Sequence, residues 1–379
     1  MFKSVISFLF TVALMFSGHA HAESLTTKAK QAIIVDYNTG RILFQKNADE
    51  RMPTSSMSKV MSMYVVFDAI KRGDLALDDE FVVSEKAWRK GGSKMFIEVG
   101  KKVKVEDLIR GVIIQSGNDA TIALAEGLAG SEDAFAAILT RKAKDLGMKN
   151  SNFMNASGWP DAEHYSTARD LSILAKAVID DFPKMYGYYS EKSFTFNKIK
   201  QSNRNPLLFA GIGADGMKTG HTEAGGYGLI GTGVKDGRRV IMVLNGMDSQ
   251  KMRKQESIRL LQWGLSGFKT VSLFKDAQIL DSAPVYLGTR RSVDLQAGEG
   301  VDLLVSKLSA GDIKVDVEYN APIKAPIEKG QNLGIVKVSV PDGETINVPL
   351  VAAHSVDEMS FFMRLVTKAR LLTTGKGAF

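Results

Sequence analysis

The chain has 379 residues, of which 44% are hydrophobic and 24% charged, a composition that predicts folded globular domains and excludes wholesale disorder. It has no cysteine, which excludes a disulfide framework, and its formal net charge of +7 suits an anionic neighbour such as a membrane surface, although simple solubility explains it equally well. The basic residues form no stripe with interleaved aromatics, which argues against nucleic acid as a partner.

The N-terminus has the pattern of a secretory signal peptide. Lys3 supplies a positive start, residues 5–16 form an apolar run, and Ala20-His21-Ala22 has the small-x-small form of a cleavage site. Because the run is short for a membrane span of about 20 residues, we favour cleavage over an uncleaved anchor. Residues 1–22 are therefore predicted to be removed from an exported protein.

Residues 23–270 are predicted to form an α+β domain that begins with a strand hairpin. Two apolar runs within residues 32–44 flank the turn Asn38-Thr39-Gly40. A helix with one apolar face follows from Met57 and ends at Gly73. Ser56 is therefore expected at or near the first turn of this helix.

The middle of this domain is predicted to be mainly helical, and its end to return to strands. Helices are expected around Ser116-Gly117-Asn118, after Ser131 and after Thr167. Residues 227–234 and 240–244 then form a second hairpin, and one more helix follows. Since consecutive strands are joined by tight turns rather than crossovers, we expect an antiparallel sheet covered by helices.

Residues 271–354 are predicted to form a small β-sandwich domain. Apolar and charged residues alternate along residues 313–319, and valines alternate along residues 336–340. Asp342-Gly343 marks a hairpin turn. This alternation predicts strands with one solvated face.

The last segment, residues 355–379, is predicted to be an amphipathic membrane-anchor helix. Basic residues with phenylalanine and methionine suit an anionic bilayer surface, which favours an interfacial helix over one packed on the β domain. The apolar positions are Met359, Phe362, Met363, Val366, Ala369 and Leu372, and the basic ones are Arg364, Lys368 and Arg370.

Ser56 and Lys59 are the first candidates for chemistry. Residues three apart on a helix share a face, so the lysine amine can reach the serine hydroxyl. A lysine can act as a base only when its pKa falls toward neutrality, which burial and a second cation both promote, and Lys218 is a candidate for that cation. Alone, the Ser-x-x-Lys motif is weak evidence for a catalytic site, because it arises by chance about once or twice in a chain of this size.

Ser116-Gly117-Asn118 forms the second string. Alone it predicts a turn between helices, since all three residue types favour turns. In a catalytic site, Ser116 would relay protons beside Lys59, and Asn118 would offer its amide to the substrate backbone.

Lys218-Thr219-Gly220 forms the third string and precedes a predicted strand. Alone it indicates a strand start with an exposed lysine. In a catalytic site, Lys218 would supply the local positive charge and Thr219 would bond a carboxylate. Gly220 would let a substrate lie along the strand edge.

Together and in this order, the three strings are a specific signature of a catalytic site. They resemble the set found in class A β-lactamases and penicillin-binding proteins, with Gly117 where that set has Asp. The longer strings of residues 53–59, 114–120 and 215–222 resemble the low-molecular-mass penicillin-binding proteins of the D-alanyl-D-alanine carboxypeptidase family. This likeness covers essentially the whole chain and implies a transpeptidase-like catalytic fold.

The resemblance also implies an activity and further site residues. Ser56 would attack the carbonyl between the two D-alanines of a peptidoglycan stem pentapeptide, Lys59 would be the base, and water would release the acyl-enzyme. Penicillin would acylate the same serine. The backbone N–H groups of Ser56 and His221 would form the oxyanion hole. Arg253 would help to hold the terminal carboxylate and Arg204 would lie nearby, although either is as readily an ordinary surface arginine.

Three other functions stay open. A β-lactamase would need a deacylating glutamate, but residues 155–164 lack the Glu-x-x-Leu-Asn string, so slow release of penicillin is expected. An endopeptidase that cuts cross-links would carry the same strings. A scaffold with a vestigial site would not need them intact.

No metal or other cofactor is expected, since His164, His221 and His354 are too scattered to suggest a metal site. The expected location is the periplasmic face of the cytoplasmic membrane, with peripheral anchoring by the terminal helix.

Overall fold

The computed structural model describes residues 2–8, 25–307, 313–340 and 345–374, and for residues 2–8 and 368–374 it describes only the backbone. Contacts divide the chain into two compact units, Glu23–Ser266 on the one hand and Met1–Ala22 with Gly267–Phe379 on the other. Strand β1 (Phe2–Phe8) belongs to the latter unit. The predicted cleavage site at residues 20–22 and the predicted turn at Asp342-Gly343 lie outside the described residues.

The unit Glu23–Ser266 mixes helices and strands. In chain order its elements are β2 (Gln31–Asp36), β3 (Ile42–Lys46), a 3-10 turn (Ser55–Ser58), α1 (Lys59–Arg72), β4 (Glu80–Val82), α2 (Glu85–Arg89), β5 (Lys102–Lys104), α3 (Val105–Ile113), α4 (Asn118–Ala129), α5 (Glu132–Asp145), α6 (Ala168–Asp181), α7 (Pro183–Tyr186), a 3-10 turn (Gly187–Ser190), β6 (Ser193–Phe196), β7 (Ile199–Ser202), a 3-10 turn (Pro206–Phe209), β8 (Ala214–Thr222), β9 (Gly226–Lys235), β10 (Arg238–Met247) and α8 (Gln250–Ser266).

The main sheet of this unit is antiparallel throughout, in the order β3-β2-β10-β9-β8. This confirms the predicted α+β fold with hairpin connections. One prediction is wrong: Lys218-Thr219-Gly220 does not precede a strand but lies inside β8, the edge strand. Strand β8 contains glycines and polar residues, so it lacks the alternation of apolar and polar residues that indicates a strand in a sequence.

The sheet buries both faces, and this places α1 at the centre of the unit. Ile33 and Ile241 point to the side where α1 packs with the other helices, while their neighbours Ile34 and Met242 point to the side covered by α8. Helix α1 is buried from Lys59 to Phe67, so its first turns have no solvent face. The nucleophile candidate therefore precedes a helix that packing holds on all sides.

The helix boundaries follow the predicted capping residues. The Ser131 hydroxyl accepts a hydrogen bond from the backbone N–H of Ala134, and the Thr167 hydroxyl accepts one from Asp170. Gly73 ends α1 in a left-handed conformation, with φ of 81°. These local signals were correctly inferred from the sequence because each cap satisfies a backbone group without help from distant residues.

The unit that contains Gly267–Phe379 is built from strands and one terminal helix. Its further elements are β11 (Phe268–Phe274), β12 (Ile279–Tyr286), β13 (Ser292–Ala297), β14 (Val301–Ser306), β15 (Lys314–Ala321), β16 (Ile323–Lys324), β17 (Asn332–Ser339), β18 (Thr345–Ala352) and α9 (Phe361–Thr374). Seven strands form a sheet in the order β1-β15-β17-β18-β13-β12-β16, and β11 pairs with β14. The predicted alternation is confirmed: Val317 and Val336 are buried, whereas Lys337 and Glu318 form an ion pair.

In the part of α9 whose side chains are described, residues 361–367, the large apolar side chains are exposed to solvent. The side chains of Phe361 and Phe362 are 71% and 75% exposed, and Met363 is also exposed. Arg364 forms an ion pair with Glu358. Among the residues that the structure describes, no helix is long and apolar enough to cross a membrane.

Candidate active site

Ser56 and Lys59 meet as their spacing predicts. The Ser56 Oγ lies 2.8 Å from the Lys59 Nζ, and the lysine side chain is completely buried. The Nζ also donates to the Asn118 Oδ1 at 2.8 Å and to the backbone carbonyl of Ser157 at 2.9 Å. The 3-10 turn before α1 presents the serine, and the helix itself buries the amine.

These three contacts give the Lys59 amine a fixed direction. Both Asn118 Oδ1 and the Ser157 carbonyl can only accept hydrogen bonds, so they engage two of the amine hydrogens. The third tetrahedral position of the nitrogen faces Ser56. When the amine is neutral that position is a lone pair, which can take the proton of the serine hydroxyl.

The pKa of Lys59 is lowered to about 7, chiefly by burial and then by the positive charge of Arg204. Asp119 opposes this shift, and Lys90 adds to it. Lys218, the second cation expected from the sequence, also interacts with Lys59 through charge repulsion. Lys218 is itself buried, and its own pKa is lowered well below its usual range by burial, followed by the charge of Lys59.

The second string places its serine against Lys218. Ser116 has a left-handed backbone with φ of 61°, and its hydroxyl accepts a hydrogen bond from the Lys218 Nζ at 2.9 Å. Within the described part of the chain, Ser116 hydrogen-bonds Lys218 rather than Lys59. Asn118 positions the Lys59 amine, because its Oδ1 accepts from the Lys59 Nζ while its Nδ2 donates to the Gly91 carbonyl.

Gly117 is explained by a carboxylate two residues later. A Cβ at position 117 would lie 2.8 Å from the Asp119 Oδ1 and 3.1 Å from the Met95 backbone nitrogen. The Asp119 carboxylate accepts hydrogen bonds from the backbone N–H groups of Met95 and Phe96. The Asp119 carboxylate and the Met95 backbone therefore leave room only for glycine at position 117.

The third string lines the cleft from β8. A Cβ at Gly220 would lie 2.9 Å from the Thr54 carbonyl and 3.1 Å from the Met57 side chain. Gly220 thus lets β8 pack directly against the turn that carries Ser56, a reason distinct from the access for substrate inferred from the sequence. The ring of His221 lies against Tyr227, with 3.9 Å between ring centroids.

The three strings and both predicted arginines surround one pocket of about 390 Å³. Arg253 is buried and donates to the Gly220 carbonyl at 3.4 Å, and burial lowers its pKa to about 10. Arg204 donates to the Ser93 hydroxyl. Of the described residues that line the pocket, none is acidic. The positive charge of Arg204 and Arg253 therefore favours an anionic ligand. The lining residues are Ser56, Ser93, Ser116, Arg204, Thr219, Gly220, His221, Tyr227, Gln250 and Arg253.

A buried polar chain behind the nucleophile was missed in the sequence. The Met154 N–H donates to the Nδ1 of His164, so the imidazole Nε2 carries the hydrogen and donates to the Ser58 hydroxyl at 2.8 Å. Ser58 in turn bonds Thr54. These contacts tie the segment 154–164 to the turn that carries Ser56.

Sequence signals could have found only part of this arrangement. Asp119 directly follows Asn118 and opens a mainly apolar run, where an acidic side chain is unusual in a sequence. The structure shows that this side chain is buried. The Ser157 carbonyl carried no signal, since a backbone acceptor is available at every residue. His164 was dismissed as a metal ligand, and its role in packing had no periodicity to mark it.

Comparisons with known proteins agree with the sequence resemblance. The family profile described as D-alanyl-D-alanine carboxypeptidase, peptidase S11, matches residues 18–249, and the profile of the penicillin-binding protein 5 C-terminal domain matches residues 268–358. The chain is 37% identical over 369 residues to the Escherichia coli D-alanyl-D-alanine carboxypeptidase DacC, covering 95% of this chain and 92% of that protein.

Solved structures show the same fold. The carboxypeptidase DacD of Francisella tularensis superimposes with a TM-score of 0.77 at 32% identity, covering 88% of this chain and 95% of that one. Penicillin-binding protein 5 of Haemophilus influenzae gives a TM-score of 0.70 at 38% identity, with 88% and 99% covered.

The buried imidazole of His164 predicts a pH-dependent stability. Burial lowers its pKa from 6.5 to about 4, so between these values the unfolded chain binds a proton that the folded chain does not. The free energy of unfolding should therefore fall as the pH drops from 6.5 to 4, by up to about 3 kcal/mol. All three tryptophans (Trp88, Trp159 and Trp263) lie in Glu23–Ser266, so their fluorescence during urea unfolding reports this unit.

His164→Gln should flatten this dependence, while His354→Gln, in the other unit, should preserve it. Equal slopes against pH for the parent and His164→Gln would contradict the assignment.

Proposed function

The chain belongs to the D-alanyl-D-alanine carboxypeptidase family of serine peptidases, and we propose that Ser56 is its nucleophile and Lys59 the base that activates it. The enzyme is a serine-type carboxypeptidase whose substrate is a peptidoglycan peptide. One observation carries the assignment of roles. The Ser56 hydroxyl lies 2.8 Å from a buried amine whose other two positions are already held by acceptors.

Acylation begins when the neutral amine of Lys59 takes the Ser56 proton. The serine oxygen attacks the carbonyl carbon of the penultimate D-alanine, and negative charge moves to the carbonyl oxygen. The backbone N–H groups of Ser56 and His221 stabilise that charge, which is worth several kcal/mol for such a pair of donors. The first N–H groups of a helical turn have no intrahelical acceptor, so the N–H of Ser56 is available for this role.

Ser116 delivers the proton that the leaving nitrogen needs. Its oxygen accepts from Lys218, so its own hydrogen is free to point into the pocket that it lines. The C–N bond breaks as this hydrogen passes to the nitrogen, and the proton held by Lys59 replaces it. Water then attacks the acyl-enzyme with Lys59 again as the base.

The cationic end of the pocket binds the terminal carboxylate. Arg253 and Thr219 line the pocket beside Gly220, and Arg204 lines it from the opposite segment. Burial costs these cations part of their hydration, and a substrate carboxylate restores favourable contacts. This arrangement favours a peptide with a free C-terminus, and so the carboxypeptidase reaction.

Penicillin should acylate Ser56 and leave slowly. The segment 155–164 contacts Lys59 through the Ser157 carbonyl, and the exposed Glu163 is not among the residues that line the catalytic pocket in the described part of the chain. A deacylating glutamate would have to stand beside the acyl group. The lining of the pocket therefore supports slow release over efficient β-lactamase activity.

The exposed apolar residues of α9 support a peripheral membrane anchor. Phe361, Phe362 and Met363 would enter the interfacial region, where burial of apolar area and attraction of basic residues to anionic lipid add together. The helix would hold the enzyme at the periplasmic face of the cytoplasmic membrane.

The nucleophile assignment predicts where penicillin attaches. Mass spectrometry after incubation with benzylpenicillin should show one adduct, and peptide mapping should place it on Ser56. Ser56→Ala should lose the adduct and lower the release of D-alanine by on the order of 10³-fold or more. Ser272→Ala, at an exposed position on β11, is the control and should keep both. Parental release of D-alanine by Ser56→Ala would contradict the assignment.

The base assignment predicts the pH dependence of acylation. Because the pKa of Lys59 is lowered to about 7, the acylation rate by benzylpenicillin should rise with pH through about 7 as the amine loses its proton. Lys90→Gln removes a cation that lowers this pKa, so the midpoint should move to higher pH. Lys101→Gln, at an exposed position, should not move it. A midpoint that is the same in all three proteins would count against the role of Lys90.

The anchor assignment predicts the effect of removing α9. Val356 is buried and bridges to Ile327, so the deletion should begin at residue 361 to spare this contact. The enzyme without residues 361–379 should stay in the soluble fraction with parental activity, and Phe362→Ser in the full chain should weaken sedimentation with anionic vesicles. Undiminished vesicle binding by the truncated enzyme would refute the anchor.

A further inference from the structure

We propose that a second cavity beside the catalytic pocket binds the side chain of the residue that precedes the two D-alanines, and that it prefers a side chain ending in both a carboxylate and an ammonium group. The proposal rests on the catalytic role proposed for Ser56. The cavity has a volume of about 640 Å³, and its walls include Arg51, Asp161, Glu163 and Thr222.

The two cavities are built from neighbouring residues of the same segments. Ser56 lines the catalytic pocket and Ser55 lines the second cavity. On β8, His221 lines the first and Thr222 the second. The hydroxyls of Ser55 and Thr222 lie 2.8 Å apart, so a hydrogen bond joins the two segments where the cavities meet. A peptide that leaves the catalytic pocket at this end enters the second cavity directly.

The direction of the substrate follows from the position of its carboxylate. The cationic end of the catalytic pocket holds the C-terminus near Thr219, so the chain runs from there along β8 toward Thr222, antiparallel to the strand. As the edge strand, β8 can accept an added strand in this way. One residue of an extended chain spans about 3.4 Å, so the residue before the acyl D-alanine lies opposite Thr222.

Arg51 supplies a carboxylate site on the cavity wall. Its guanidinium lies over the Tyr165 ring, 4.4 Å from the centroid, which fixes its position. Stacking uses the face of the guanidinium and leaves its N–H donors free in the plane. Across the described ranges, no carboxylate forms an ion pair with Arg51. The N–H donors of its guanidinium can therefore bind an anionic group of the ligand.

Asp161 and Glu163 supply the opposite charge on the same cavity. Asp161 accepts a hydrogen bond from the backbone N–H of Glu163, which fixes the turn between them. The Glu163 side chain is exposed at the cavity and, within the part of the chain that is described, pairs with no cation. A ligand side chain with both groups could pair its carboxylate with Arg51 and its ammonium with Asp161 or Glu163. A lysine side chain would leave Arg51 without a partner.

Matched substrates can test this preference. The measurement is kcat/KM on pentapeptides that differ only at the third residue: meso-diaminopimelate, the same residue with its side-chain carboxylate amidated, and lysine. The parent enzyme should favour the free acid over the amide by about three- to tenfold, as expected for a partly solvated charge-assisted hydrogen bond. Arg51→Gln should bring this ratio close to one, while Arg141→Gln, an exposed arginine on α5, should preserve it.

The ammonium group is tested in the same way. Acetylation of the side-chain amine should lower kcat/KM in the parent and have less effect in Glu163→Gln, with Glu80→Gln as the control. Hydrolysis of a short N-acyl-D-alanyl-D-alanine, which lacks the third residue, should be unchanged in every variant.

The outcomes separate this proposal from the catalytic one. Normal hydrolysis of the short substrate, with no preference for the free acid or with a preference that Arg51→Gln leaves intact, would overturn the cavity assignment alone. No hydrolysis of any substrate together with no adduct on Ser56 would overturn both.

Discussion

The buried amine of Lys59, held between the Asn118 amide oxygen and the Ser157 carbonyl, is the group on which the rest of the proposed site depends. A serine hydroxyl is a weak nucleophile, and no histidine in the described part of the chain hydrogen-bonds Ser56. Burial makes the lysine a usable base by disfavouring its charged form. The two carbonyl acceptors then point its lone pair at Ser56, so one set of contacts fixes both the protonation state and the direction of proton transfer.

The fold supplies this arrangement from four separate segments. Helix α1 buries the amine, the Ser116-Gly117-Asn118 turn and the segment that contains Ser157 hold it, and β8 closes the cleft through close packing at Gly220. Arg204 and Arg253 line the pocket, and burial lowers the pKa of both because it disfavours their charged forms. In the proposed function, a substrate carboxylate would restore favourable contacts to these cations, which would select a peptide with a free C-terminus.

Local patterns in the sequence predicted the hairpins, the capped helices and the pair of Ser56 with Lys59, because each is set by residues a few positions apart. Features set by distant segments could not be predicted in this way. Lys90 and Arg204 influence the pKa of Lys59 only through the fold, and Lys218, the expected neighbour, turned out to be a buried partner of Ser116. Strand β8 was missed because its glycines serve packing against the nucleophile turn, which interrupts the usual strand alternation.

A direct titration of Lys59 tests the central claim. The NMR signal of its Cε carbon, assigned by comparison with Lys59→Arg in selectively labelled protein, should shift with a midpoint near pH 7, since burial and Arg204 disfavour the ammonium form. A midpoint close to 10, as for a lysine in water, would mean that the amine stays charged at neutral pH and cannot deprotonate Ser56.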